Sequence, residues 1–309
     1  MNIRIFIEAS NRVACPSLSS RARRFMTALL LGSAVMSVGT AFAQPITTQP
    51  AQSASFVAGA IYEWKTLQQS PSLSFSSYAN FLVNNPGWPN ETTMRKAAEK
   101  NLRAETETPS HVIAFFRRFA PLTPTGQLRF AEALSAMGMA DEARINARLA
   151  WIGGTLSPDD ESRFLTRYAS AITPVDQDLR MEKLLWSRAT ATAARQLYLV
   201  SPSRRAVFEA RLAMLTKAPD AALKRGAVES IARTDAGFIV DKVYWFRNTG
   251  NVPMARATLS NPFALSAPPV DPARWLNSLY DTAKNAANDQ QWDVVWNIAR
   301  QAEIGRAHV

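Results

Sequence analysis

Apolar residues recur along this chain with the spacing of helices. Val112, Phe115, Phe116 and Phe119 stand at i, i+3, i+4 and i+7, one stripe of a helix with Arg117 and Arg118 turned away from it. Met94, Ala97, Ala98 and Leu102 repeat the spacing, as do Leu223, Ala227, Val228 and Ile231, and later Leu276, Leu279, Tyr280 and Ala283. No segment alternates convincingly with period two, so the pattern predicts an all-α protein.

Regular punctuation divides the helices. Thr123-Pro124, Ser157-Pro158, Ser201-Pro202 and Asp271-Pro272 each put a side-chain oxygen before a proline. The oxygen can accept from the free amides of the first turn, and proline at the first helical position sacrifices no hydrogen bond. Gly138, Gly153-Gly154, Gly226 and Gly250 are expected at or near helix ends or turns. In the pair spanning residues 127–151, Leu128, Ala131 and Leu134 face Ala143, Ala147 and Trp151 across a turn at Gly138. A second pair, residues 241–259, sets Val243 and Phe246 against Ala255 and Leu259 across Gly250. Pairs of this kind predict a curved α-solenoid of short antiparallel helix pairs, each burying its apolar face against its neighbours. A compact orthogonal bundle is the alternative.

The N-terminus adds a compartment. Arg21, Arg23 and Arg24 precede an apolar run from Phe25 to Val38, and Ala41-Phe42-Ala43 follows. That order predicts a cleaved export signal of the Sec type, cut between Ala43 and Gln44, and hence a periplasmic protein. The run falls short of the roughly 20 residues a membrane span needs, so no span is expected after cleavage. Arg23-Arg24-Phe25 is a fainter twin-arginine pattern. Residues 1–20 have no role in such a signal, which suggests a true start codon further in. Residues 44–55 are polar and aperiodic and read as a flexible leader; the helical domain is expected over 56–302.

Loss of residues 1–43 removes Arg4, Arg12, Arg21, Arg23, Arg24 and Glu8, which reduces the net charge from +10 to +6. The remaining bias could favour an anionic polymer, while export and the modest charge argue against a nucleic-acid partner. The one cysteine, Cys15, falls in the removed segment, so no disulfide or thiolate metal site is expected. Two histidines make no His-rich metal site, and no glycine-rich phosphate loop is present, so neither metal nor cofactor is expected.

Four segments carry a resemblance. They are Phe81 to Glu91, leading into Met94-Arg95-Lys96-Ala97-Ala98-Glu99; Ala120 to Thr123 with Gly126, Ala131 to Leu134 and Ala150-Trp151; Asp176 to Arg180 with Leu184-Leu185-Trp186; and Tyr244 to Arg247 through Gly250. In order and spacing they resemble the N-terminal superhelical domain of soluble lytic murein transglycosylases, over roughly residues 56–302. The resemblance departs where the family often has histidine, at Leu185, and the last segment carries the family's arginine-rich stretch only in part. It implies a periplasmic helical framework around peptidoglycan glycan strands. In that family a C-terminal lysozyme-like domain cleaves the bond between N-acetylmuramic acid and N-acetylglucosamine. One glutamate serves as acid and then base, and the muramic 6-hydroxyl attacks C1 to give a 1,6-anhydro product. The substrate supplies the nucleophile, unlike the two-carboxylate arrangement of most glycosidases.

No catalytic residue is expected within this sequence. Glu161-Ser162 copies the family's Glu-Ser pair, but it opens a helix where first-turn acids serve the exposed amides, and the family's later motifs do not follow. His111 reads as a capping or surface residue. Trp245, Trp275, Trp292 and Trp296 could stack on sugars but at helical spacing read as core. Arg117-Arg118, Arg204-Arg205 and Lys224-Arg225 could line a groove but read as solvated faces. Residues 303–309 (Glu-Ile-Gly-Arg-Ala-His-Val) read as the in-frame translation of a sequencing-library adapter, so an artefactual tail and a missing catalytic domain are expected. The reading set against the enzyme is a non-catalytic periplasmic helical-repeat scaffold or wall-binding protein.

Overall fold

A computed structural model describes residues 54–303, apart from 71, 104, 262 and 263. The predicted signal, its cleavage site, Cys15 and residues 304–309 of the tail lie outside the described residues. Fifteen α-helices follow one another, with no strand among the described residues. They are α1 (Ala54–Gln69), α2 (Phe75–Asn84), α3 (Glu91–Asn101), α4 (Pro109–Arg118), α5 (Pro124–Ala136), α6 (Ala140–Ile152), α7 (Pro158–Tyr168), α8 (Pro174–Trp186), α9 (Thr190–Gln196), α10 (Pro202–Thr216), α11 (Ala221–Ala232), α12 (Ala236–Asn248), α13 (Val252–Ser260), α14 (Pro272–Asn288) and α15 (Trp292–Ala299). Helix α1 already includes residues 54 and 55 of the expected leader. Glu303, assigned above to the tail, closes a final 3-10 turn.

The predicted caps form at three of four Pro-flanked starts. Thr123, Ser157 and Asp271 accept the amides of Gly126, Asp160 and Arg274. Ser201 does not cap α10; its amide and hydroxyl both donate to the carboxylate of Asp178 on α8. The hydroxyl donates to a charged acceptor on a neighbouring helix and is turned away from the local amides it would cap. Gly138, Gly154 and Gly250 occupy the left-handed region as expected, but Gly226 lies inside α11.

Both expected pairs form. Leu128, Ala131, Leu134, Ala143, Ala147 and Trp151 are buried where α5 meets α6, as are Val243, Phe246, Ala255 and Leu259 where α12 meets α13. The α4 stripe and the α3 stripe face the core as read, with Arg117 and Arg118 exposed. Two stripes do not. On α11 the buried residues are Ala221, Val228 and Ala232, while Leu223 and Ile231 are 76% and 67% exposed. On α14 they are Trp275, Leu279, Thr282 and Ala286, leaving Leu276 and Tyr280 outside. Small side chains decide the first case: Ala221, Val228 and Ala232 share one apolar cluster with Ala210 and Ala213 of α10, and alanines allow close approach on that face.

The core is not one mass. It consists of separate clusters that succeed one another along the chain. The first, over α1–α6, is rich in aromatics: Phe75, Phe115, Phe116 and Phe119 pack edge-on or tilted with centroids 5.1–5.4 Å apart. The next centres on Trp151 stacked on Phe164 at 4.5 Å, and three more follow toward α15.

Candidate functional site

Charged side chains tie the helix pairs together. Arg129 of α5 reaches Asp160 of α7 at 2.7 Å, and Arg148 of α6 reaches Asp176 of α8 at 2.8 Å. Arg211 of α10 reaches Asp241 of α12 at 2.7 Å, and Arg256 of α13 reaches Asn285 of α14 at 2.9 Å. The partners stand 31, 28, 30 and 29 residues apart, about one helix pair each time. At least one charged partner of each link is buried, Asp176 fully although Arg148 is half exposed, and that group would be left desolvated if its partner were removed. Burial lifts the Asp241 carboxyl to about 6 against the pull of Arg211. Burial likewise draws the Arg180 guanidinium down to about 10, although Glu161 opposes the change. Arg180 lies over the Trp151 ring at 3.5 Å.

A cleft of about 690 Å³ opens between α3, α5 and α7. Beside it, on the same helix α3, Glu99 is fully buried and accepts the amides of Leu122 and Thr123, each at 2.7 Å. Burial raises the Glu99 carboxyl above the ordinary range despite those donors. Gly126 permits this packing, since a Cβ there would stand 2.3 Å from the Glu99 carboxylate. Lys96, Lys100 and Arg103 line one wall and have no carboxylate partner among the described residues. Lys96 and Lys100 lie one turn apart on the polar side of α3. The opposite wall is the start of α7, where Asp160 accepts from both Arg129 and Arg163. Burial would push the Asp160 carboxyl up, but the two arginines outweigh it and hold the group below its usual range. Thr125 and Ser157 at two helix starts add hydroxyl groups, and Glu105 and Asp159 partly offset the cations. Such a cleft can hold an anionic group by charge and hydrogen bonding. Asp160 is occupied by guanidinium groups and is not presented to a substrate as a proton donor.

The residues singled out in the sequence have other employments. Glu161 accepts from Arg180 at 2.6 Å and from Arg195 at 2.9 Å, so its oxygens serve two cross-links between helices. His111 Nδ1 lies 2.9 Å from Glu107, and its ring stands edge-on to Phe75. Trp275 is buried and Trp245 partly so, but Trp292 and Trp296 are 64% and 70% exposed, contrary to the core reading. Helix α15 turns Ile298 inward instead, and one turn of spacing puts both tryptophans on the outer face. Of the basic doublets, Arg117 pairs with Glu142, Arg204 with Glu182 and Asp235, Lys224 with Asp220, and Arg225 with Glu229. None lines the cleft. The residues that do, Lys96, Lys100 and Arg103, were legible only as the polar side of the α3 stripe.

The segments carrying the resemblance touch one another: Glu99 of the first accepts the amides of Leu122 and Thr123 of the second, and the second meets the third at Trp151. Gln177 accepts the Trp151 indole N–H at 2.9 Å and the Gln196 amide at 2.7 Å, while Arg180 covers the same indole. Among the described residues no group of three or more His, Cys, Asp or Glu side chains could hold a metal ion. No described helix is long and apolar enough to cross a membrane. In comparisons with family models, curated proteins and solved structures, nothing matches this chain.

Proposed function

We propose that this chain is the helical framework of a periplasmic peptidoglycan lytic transglycosylase, arranged as a curved solenoid, with the bond-breaking chemistry in a lysozyme-like domain of the parent protein. The reading starts from the four family-like segments, which run in order over residues 56–302. The observation that carries the binding role is the basic cleft between α3, α5 and α7, where Lys96, Lys100 and Arg103 outnumber the acids Glu105 and Asp159 and make no ion pair among the described residues. Peptidoglycan carries carboxylates on its peptide stems, and a wall of cations attracts them over several ångströms before any specific contact forms. The architecture is supported by the succession of small cores and by ionic links one helix pair apart, as expected when each unit rests on its neighbours.

The test is sedimentation of the purified chain with peptidoglycan sacculi, followed by analysis of soluble products. The chain should pellet with sacculi in a salt-sensitive manner, and Lys96→Glu with Lys100→Glu should release it. It should liberate no anhydromuropeptides. Release of such products would place the active site within this chain, and failure to pellet would leave a scaffold without wall affinity.

A further inference from the structure

A second cleft, about 560 Å³, lies where α12 and α14 meet the turn after α8. Three of its lining residues are arginines: Arg188, Arg247 and Arg274. Arg188 stands in the turn with φ of 56°, outside the region a side chain ordinarily favours, and its amide donates to Leu185 at 2.9 Å. Its guanidinium lies over the ring of Tyr244 at 3.7 Å, so ring stacking orients the cation. No carboxylate pairs with it among the described residues. Arg274 has an enclosed Nη1 that makes no hydrogen bond. The backbone amide of Arg274 is taken by Asp271, which caps α14. Only Arg247 has an acidic partner, Asp281, at 3.3 Å.

Like charges placed together repel. Burial, then the neighbouring Arg274 and Arg247, depress the Arg188 guanidinium below its ordinary range, although Tyr244 and Asp241 pull the other way. The Arg274 Nη1 is a donor enclosed without a partner, and an acceptor bound beside it would offset that cost. Tyr244, Asn248, Asn277 and Ser278 add groups able to donate hydrogen bonds, and the two acids of the lining are engaged, Asp271 in capping α14 and Asp281 with Arg247. Planar forks of N–H donors beside neutral donors suit an oxyanion, which accepts two bonds from each fork.

We propose that this cleft binds an oxyanion, a carboxylate or a phosphate group, between Arg188 and Arg274. The site stands independently of the transglycosylase reading, because it rests on the cleft alone. The full chain is titrated calorimetrically with inorganic phosphate and, separately, with succinate, in chloride buffers of matched ionic strength. Saturable one-to-one binding of either supports the site, and which of the two binds identifies the source of the charge. Arg274→Gln and Arg188→Gln should each weaken binding by about tenfold or more, the equivalent of one charge-assisted hydrogen-bonded contact. Arg144→Gln, on the exposed side of α6, should bind as the parent does. Arg188 stands in a turn outside any helix, so its variant keeps the test alive if Arg274→Gln fails to fold. The proposal is overturned if neither anion saturates, or if the folded Arg188→Gln variant binds with the parent's affinity.

Discussion

Gly126 and Gly237 sit where a buried charged side chain crosses a neighbouring helix. A Cβ on Gly237 would stand 2.4 Å from the guanidinium carbon of Arg211, and that guanidinium is pinned by Asp241 and Glu182. Gly226, by contrast, has open space around it in the middle of α11. The two glycines therefore make a matched pair. Alanine at Gly226 should stabilise the chain by about 0.5–1 kcal/mol, the helix-propensity gain. Alanine at Gly237 should cost about 1–3 kcal/mol, because the arginine cannot move aside without abandoning its carboxylates. Urea unfolding midpoints for the two variants should move in opposite directions; equal shifts would show that Arg211 is free to yield.

Helix starts were the most legible elements, because a cap and a proline are local chemistry. Thr123, Ser157 and Asp271 needed nothing beyond the next three residues, whereas Ser201 was lost to Asp178, a partner on another helix. Helix faces were legible where large residues made the stripe, as on α4. On α11 two stripes compete, and periodicity favours Leu223 and Ile231 although alanine packing buries the other face. Clefts were least legible, since Arg188, Tyr244 and Arg274 come from three elements. At the start of α8 the cap is reciprocal: Thr173 accepts the Asp176 amide while the Asp176 carboxylate accepts from Thr173 and from Arg148. Burial pushes the Asp176 carboxyl up, but the Arg148 and Thr173 donors outweigh it and hold it below its ordinary range. A group depressed in the folded state stabilises above its unfolded value, and that contribution fades as pH falls through the folded value. Stability supplied by Asp176 should therefore be complete near neutrality and decline below about pH 4. Asp176→Asn should cost about 1–3 kcal/mol at pH 7. Its melting temperature should converge on the parent's as the solution is acidified toward pH 3. A gap that stayed constant across the range would assign the loss to shape and exclude charge.

From α5 to α14 the same device recurs: an arginine reaches about thirty residues ahead to an acid or amide. In the proposed solenoid each unit is held mainly by the units beside it, so damage should stay local. Arg211 offers the sharpest probe, because it is fully buried and touches Asp241 of α12 and Glu182 of α8 from its place on α10. Arg211→Met keeps much of the volume but strands the buried Asp241 carboxylate, a loss of about 3–5 kcal/mol. Hydrogen exchange read by mass spectrometry should then show faster opening of α8, α10 and α12. The aromatic cluster that joins α2 and α4 through Phe75 and Phe115 shares no residue with that network and should keep its protection. A compact bundle would behave otherwise: one shared core would transmit the loss, and amides of α2 and α4 would exchange faster in step with those of α10. The ratio of the two rates thus decides between a chain of coupled neighbours and a single cooperative core.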